Sequence, residues 1–483
     1  MRERDENSET ERFVKASVKL SFYGGSNMSR VSRCLEVLTV ALALLPAGPT
    51  VGTPLDTTAE QGGTALVAAA TESRTDAVKR LLVRGAKPDV ADRYGVTPLY
   101  VAALNADTAL MTTLLAAGAD PNGTAPSGET LLMTAARTGA VETMRLLIAA
   151  GARVDAREPA FNQSALMIAA RGNAADAVAL LLDRGAAVDA RTAIGKTPPF
   201  VPPCKGTGCG SEGVGINRGG LPDRGRRDAV AGGMTPLLYA AREGADASLA
   251  TLIARGADLE VAEANGMTPL LMALLNNQLG AARQLIEAGA KVNVADFYGR
   301  TPLWAAVEHR NLDMNNRIED SPTTNNVDRA ASLPMIRLLL DTGADVDART
   351  REVPPSRKWL YALNDVSWVD FTGQTAFLRA AFAGDTTVMQ LLLDHGADPN
   401  LATQGGTTPL MAAAGVGWVV QQTYTESMPS LLEAVRLCLA SISSTSAFLK
   451  LLCHLASASK DALSKSISLL ASSLQGYFVQ SRS

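Results

Sequence analysis

The residues able to do chemistry are sparse in this 483-residue chain. Its histidines, His309, His395 and His454, stand far apart in sequence. His309 has acidic neighbours close by, Glu308 and Asp313, as an imidazole acting as a general base would need. No serine or cysteine can be assigned to it as a nucleophile, and a histidine with charged neighbours is more often a plain surface group. Cys204 and Cys209 lie five positions apart in a Pro/Gly-rich stretch. In an oxidising compartment they could close a small disulfide; the alternatives are free thiols, or a zinc site needing two further ligands that are not nearby. The same stretch contains Gly208-Cys209-Gly210-Ser211-Glu212-Gly213, formally G-x-G-x-x-G. Dinucleotide binding requires that motif to join a strand to a helix, and neither flanks it here. The expectation is a protein that is not an enzyme and holds no cofactor and no metal. A small-ligand protein using the Gly-rich loop at 204–220 is the weaker reading.

Function must then reside in a surface, and the elements carrying that surface repeat. A threonine, once a serine, recurs at Thr64, Thr97, Thr130, Ser164, Thr235, Thr268, Thr301, Thr375 and Thr408, in steps of 33, 33, 34, 71, 33, 33, 74 and 33 residues. A second marker, Gly-Ala, begins at Gly85, Gly118, Gly151, Gly185, Gly256, Gly289, Gly343 and Gly396, 21 residues after its threonine wherever nothing intervenes. Two markers holding one phase exclude chance.

Each position has a physical reason. The threonine hydroxyl can cap the free N–H groups of a helix start, and proline after it already has helical φ. Thr97-Pro98, Thr235-Pro236, Thr268-Pro269, Thr301-Pro302 and Thr408-Pro409 show the pair. Ala102-Ala103, Ala135-Ala136, Ala240-Ala241 and Ala305-Ala306 follow, small enough for helices to approach closely. A second helix carries apolar residues at three- and four-residue steps, such as Val178, Leu181 and Leu182. The glycine suits a left-handed C-cap. An acid or amide four residues on (Asp89, Asn122, Asp155, Asp189, Asn293, Asp347, Asn400) opens a polar turn.

The pattern G-x-T-P-L…A-A…V-x-x-L-L-x-x-G-A-D-x-N resembles the ankyrin repeat, over roughly residues 60 to 439. One departure is consistent: the family's histidine after Thr-Pro-Leu is replaced by Val67, Tyr100, Met133, Met167, Leu238, Leu271, Trp304, Leu378 and Met411. The long insertions and the late phrase GGTTPLMAAAGVGW look like a bacterial exported subgroup of the family. The resemblance implies an all-α solenoid of about nine helix-turn-helix repeats that binds another protein through its concave face. Carried over position by position, the turn tips present Arg93, Tyr94, Phe161, Asn265, Phe297, Tyr298, Arg300 and Phe371. The ends of the first helices present Arg137, Arg171, Arg242, Glu243, Glu308 and His309. Aromatics and arginines on one face are the composition of interface anchors. A structural spacer, or a self-associating rod, is the alternative function.

The repeat domain is expected over 52–439, interrupted near 197–232, 312–332, 349–372 and 416–429. Before it, Leu35 to Leu45 forms an apolar run too short to span a bilayer, and it resembles a secretory h-region. Residues 1–51 are therefore expected to direct export, to the periplasm or beyond the cell, with a cytoplasmic location the alternative and Met28 an alternative start. After it, residues 440–483 turn serine-rich, as either a C-terminal cap or a shifted reading frame. A formal charge of −3 gives no global field to attract nucleic acid, so none is expected as a partner. Arg218, Arg224, Arg226 and Arg227 are read as solvating their loop.

Overall fold

The computed structural model describes residues 59–196, 230–311, 329–352, 372–415 and 428–440, all within the unit Ala59–Ser483. They form nine helix pairs. Four precede the first insertion: α1 (Ala59–Thr71) with α2 (Thr75–Val83), α3 (Pro98–Leu104) with α4 (Thr108–Ala116), α5 (Leu131–Thr138) with α6 (Val141–Ala149), and α7 (Ala165–Arg171) with α8 (Ala175–Asp183). Five follow it: α9 (Pro236–Glu243) with α10 (Asp246–Ala254), α11 (Pro269–Leu275) with α12 (Leu279–Glu287), α13 (Pro302–Arg310) with α14 (Arg329–Asp341), α15 (Ala376–Ala383) with α16 (Thr386–Asp394), and α17 (Pro409–Ala413) with α18 (Met428–Ala440). First helices pack on first helices from end to end, second helices on second from α2 to α14 and again from α16 to α18, and α7 packs on α9 across the insertion.

The threonines act as their position demands. Thr97, Thr130, Ser164, Thr235, Thr268, Thr301, Thr375 and Thr408 each accept a hydrogen bond from the N–H three residues on. Each such cap is worth about 1 kcal/mol. The first repeat departs from the expectation, because α1 begins at Ala59 and runs through Thr64 without a turn. The Gly-Ala glycines all have φ between +80° and +99°. A Cβ added at Gly118 would meet nothing within 4 Å, so backbone conformation rather than space selects glycine there.

One apolar cluster runs the length of the stack, with the paired alanines at its centre. The residues standing in for the family's histidine are buried within it or beside it, apart from half-buried Tyr100. Apolar packing thus fills the positions that a histidine holds in the family pattern. The acids and amides after Gly-Ala do more than open a turn. All but Asn400 take a backbone N–H of the following repeat: Asp89 from Asp120 (3.0 Å), Asn122 from Arg153 (2.9 Å), Asp155 from Ala187 (3.0 Å). The series continues with Asp189 to Asp258 (3.1 Å), Glu260 to Lys291 (2.8 Å), Asn293 to Asp345 (2.7 Å) and Asp347 to Asp398 (3.0 Å). It keeps its phase across three of the insertions.

Candidate partner-binding face

Between one helix pair and the next the chain makes a finger, closed at its base by a backbone bond. Asp92 N–H donates to Val96 (2.9 Å), Glu158 to Gln163 (3.1 Å), Glu263 to Met267 (3.1 Å) and Asp296 to Arg300 (3.2 Å). The first residue of each pair also braces its finger by side chain. Asp92 accepts from Tyr94 N–H (2.8 Å), and Glu158 accepts from Phe161 (2.8 Å) and Gln163 (2.9 Å). Glu263 is buried and accepts from Asn265 (2.8 Å) and Met267 (3.2 Å); burial pushes its carboxyl above the ordinary glutamate range against those bonds.

Two insertions leave from fingers, and the chain closes beneath both in one way. Asp189-Ala190-Arg191-Thr192 and Asp347-Ala348-Arg349-Thr350 are the departing residues. Thr192 exchanges bonds with Met234 (3.0 and 2.9 Å), and Thr350 N–H donates to Gln374 (3.0 Å) while its hydroxyl accepts from Gln374 N–H (3.1 Å). Arg191 donates to the carbonyls of Gly233 (3.3 Å) and Ala262, and Arg349 to those of Gly373 (3.0 Å) and Ala402. The first neck is extended by a two-stranded antiparallel ribbon, β1 (Ile194–Lys196) with β2 (Val230–Gly232), in the register Ile194↔Gly232. The expected all-α chain therefore carries one short ribbon, and the expected insertion at 197–232 returns to paired backbone at Val230. The other two insertions leave between the helices of a pair, after Asn311 and after Gly415.

Neighbouring fingers are joined edge to edge. Ala193 N–H donates to Phe161, Ala264 to Gly232, Phe297 to Asn265, Arg351 to Tyr298 and Gln404 to Thr372, at 2.8–3.0 Å. Phe161 (58% exposed) and Phe297 (42%) stand out from this rail, and Tyr94 (55%) from the braced finger of the second repeat. Arg93 lies 4.8 Å over the Tyr94 ring, and Tyr298 meets Phe297 edge to face at 5.3 Å. Asn265 is half-buried, its side-chain amide turned onto Glu263 (3.1 Å).

Two residues expected on this face are inside the protein. Arg300 is 6% exposed, because its guanidinium pairs with buried Asp296 at 2.7 Å while it covers the Tyr298 ring. His309 is 9% exposed, since the last turn of α13 is covered by the following repeat. Glu308, half-buried, pairs with Arg379 of that repeat; Arg310 beside it donates to Asp385 (2.7 Å) and Ser332 (3.1 Å). The acid-flanked histidine thus stands between two residues, Glu308 and Arg310, that pair across the repeat interface. At the other first-helix ends, Arg137 pairs with Glu129, Arg242 with Glu243 (2.7 Å), and Arg171 is exposed. Phe371, Cys204, Cys209, Gly208–Gly213 and the expected export segment lie outside the described residues, as do residues 441–483.

A shallow groove of about 340 Å³ lies on the second helices, lined by Val141, Arg145, Asp176, Leu180, Asp183 and Arg184. Its charges serve one another and the stack. A hydrogen bond from Arg255, two helices away, holds the Asp183 carboxyl below the usual carboxylate range.

The family model described as ankyrin repeats (3 copies) matches residues 36–125, 105–192, 237–320 and 353–422, well over half of the chain. The chain belongs to the ankyrin repeat family. The first ankyrin match begins at residue 36, inside the segment expected to precede the repeats. Among solved structures, the chain is similar to the ankyrin repeat domain of Bcl-3, described as a unique member of the IkappaB protein family. That likeness has 23% identity and a TM-score of 0.39, covering 50% of this chain and 94% of that one. No curated protein matches. Among the described residues no helix is long and apolar enough to cross a membrane. Ankyrin stacks are generally protein–protein interaction modules and typically non-enzymatic.

Sequence reasoning missed Leu104 and Ile194, both exposed, the one ending a first helix and the other opening the ribbon at a finger neck. Leu104 occupies the first-helix position held by Arg137 in the next repeat, and lining up the repeats would have found it. Ile194 had no such signal, because the insertion hides where its finger ends.

Proposed function

We propose that this ankyrin stack is a docking scaffold that binds a protein through its finger tips and the adjoining ends of its first helices. One observation carries the reading. Among the described residues the exposed large apolar side chains are Val83, Tyr94, Leu104, Phe161, Ile194 and Phe297, and all but Val83 belong to fingers or first helices. Apolar groups gathered on one side of an array mark an interaction surface. The rail of finger-to-finger hydrogen bonds holds Phe161, Ile194 and Phe297 before a partner arrives, and the helix holds Leu104, so little ordering entropy is lost on binding.

The test is a cross-linking pull-down from the cells that make the protein, using the full chain and a variant with Tyr94→Ala, Phe161→Ala and Phe297→Ala. Circular dichroism must first show the two equally folded. A protein captured by the parent and lost by the variant supports docking at the tips. Equal capture by both sinks the tip assignment, and a spacer would behave that way. The reading extends to export through Leu35–Leu45: N-terminal sequencing should find the mature chain starting beyond Leu45. An intact N-terminus would refute export.

A further inference from the structure

Resting on that docking reading, we infer that the finger-side face of repeats two to five takes an extended segment with one apolar residue followed by acids at every third position. The position seven residues after the capping hydroxyl holds Leu104, Arg137, Arg171 and Arg242 in four successive repeats. All four sit at or next to the last residue of α3, α5, α7 and α9, which pack side by side in that order. Leu104, Arg137 and Arg171 are exposed and Arg242 half-exposed, so the column offers one apolar contact and then three guanidinium groups to solvent. In the next repeat the same position is Leu275, which is buried, and the column ends there.

The charges are held in place and remain open to a ligand. Arg137 and Arg242 are steadied at the surface by half-buried Glu129 and exposed Glu243, and Arg242 also lies 5.0 Å over the Tyr239 ring. Exposed ion pairs of this kind are worth little and exchange readily with an incoming carboxylate. Among the described residues Arg171, at the centre, has no ion pair. A guanidinium takes a carboxylate through two parallel N–H bonds, which makes arginine rather than lysine the suited residue. The chain as a whole is at −3, so the attraction is a property of this column and not of net charge.

Spacing selects the conformation of the occupant. Packed helices lie about 8–10 Å apart. A polyproline II segment repeats its side-chain direction every third residue, about 9 Å along its axis. A β-strand returns to the same face at about 6.6 or 13 Å and fits less well. Unfolded chains and linkers already populate polyproline II, so such a segment docks without first forming structure.

The test uses the full chain and a fluorescein-labelled peptide, Leu-Pro-Pro-Asp-Pro-Pro-Asp-Pro-Pro-Asp, with a control of the same composition whose three acids are adjacent. Fluorescence anisotropy is read at about 50 mM and about 300 mM salt, where screening differs strongly. The spaced peptide should bind at least about tenfold more tightly than the control, and more weakly at high salt. Arg171→Ala, at an exposed position with circular dichroism unchanged, should weaken it by about tenfold. Equal affinity for the two peptides, or no effect of Arg171→Ala, overturns the inference. So does tighter binding of a helical peptide with acids at every seventh residue, which also repeats at about 10 Å. The finger-tip variant leaves all four column residues intact, so this inference can fail while docking at the tips stands.

Discussion

At the residue scale, similar arginines in this stack have opposite tasks, decided by burial. Arg242 pairs with Glu243 in solvent, whereas Arg310 and Asp385 are almost wholly buried and belong to different repeats. Asp385 also caps α16 through the Val388 N–H (3.3 Å), so its charge serves two partners at once. Removing one member of a buried pair leaves the other uncompensated and costs about 3–5 kcal/mol, while an exposed pair contributes about 0–1 kcal/mol. Arg310→Ala should therefore lower the urea midpoint strongly, and Arg242→Ala should barely move it. Similar shifts for both would show that the Arg310–Asp385 pair does not join repeats seven and eight. Adjacency in sequence marked Glu308 and His309 as surface chemistry. What hides them is a helix some 70 positions later, and no local pattern carries that information.

Among the elements, what the sequence makes legible follows from local physics. Capping hydroxyls, N1 prolines and left-handed glycines act within a turn of themselves, so nine helix pairs could be read from eight threonines and one serine. The finger necks were not legible, because their bonds cross 42 positions from Thr192 to Met234 and 24 from Thr350 to Gln374. The repeated Asp-Ala-Arg-Thr before both finger insertions was the only signal, and it can be interpreted only once Arg191 and Arg349 are seen reaching the next finger. The necks lead to a prediction about the loop they carry. Lys196 and Val230 are the outermost pair of the ribbon, and a two-residue Asn-Gly turn joins such a pair without splaying the strands. Replacing residues 197–229 with Asn-Gly should leave the melting temperature within about 3 °C of the parent. In that shortened chain, Arg191→Ala should lower it by more than that. A large loss from the shortening alone would mean the insertion holds the stack together.

Across the whole molecule, the insertions interrupt the sequence without dividing the solid. Repeats four and five are separated by a 71-residue step, yet α7 packs on α9 and the Asp189–Asp258 bond keeps the outer series in phase. A repeat array is stable through its nearest-neighbour interfaces, so one weakened interface can uncouple everything on either side. Leu237, fully buried on α9, belongs to the one cluster that runs through the array. Leu237→Ala should cost about 2–5 kcal/mol at this interface. Hydrogen exchange followed by mass spectrometry against urea should show repeats four and five losing protection together in the parent, and at separate urea concentrations in the variant. If they already separate in the parent, the first insertion divides the array into two folding blocks. The distinction reaches function, because Arg137 and Arg171 lie before the insertion and Arg242 after it. A ligand spanning the column needs the α7–α9 interface rigid, so Leu237→Ala should weaken the spaced acidic peptide although it touches none of its arginines. Unchanged affinity would confine recognition to one side of the insertion.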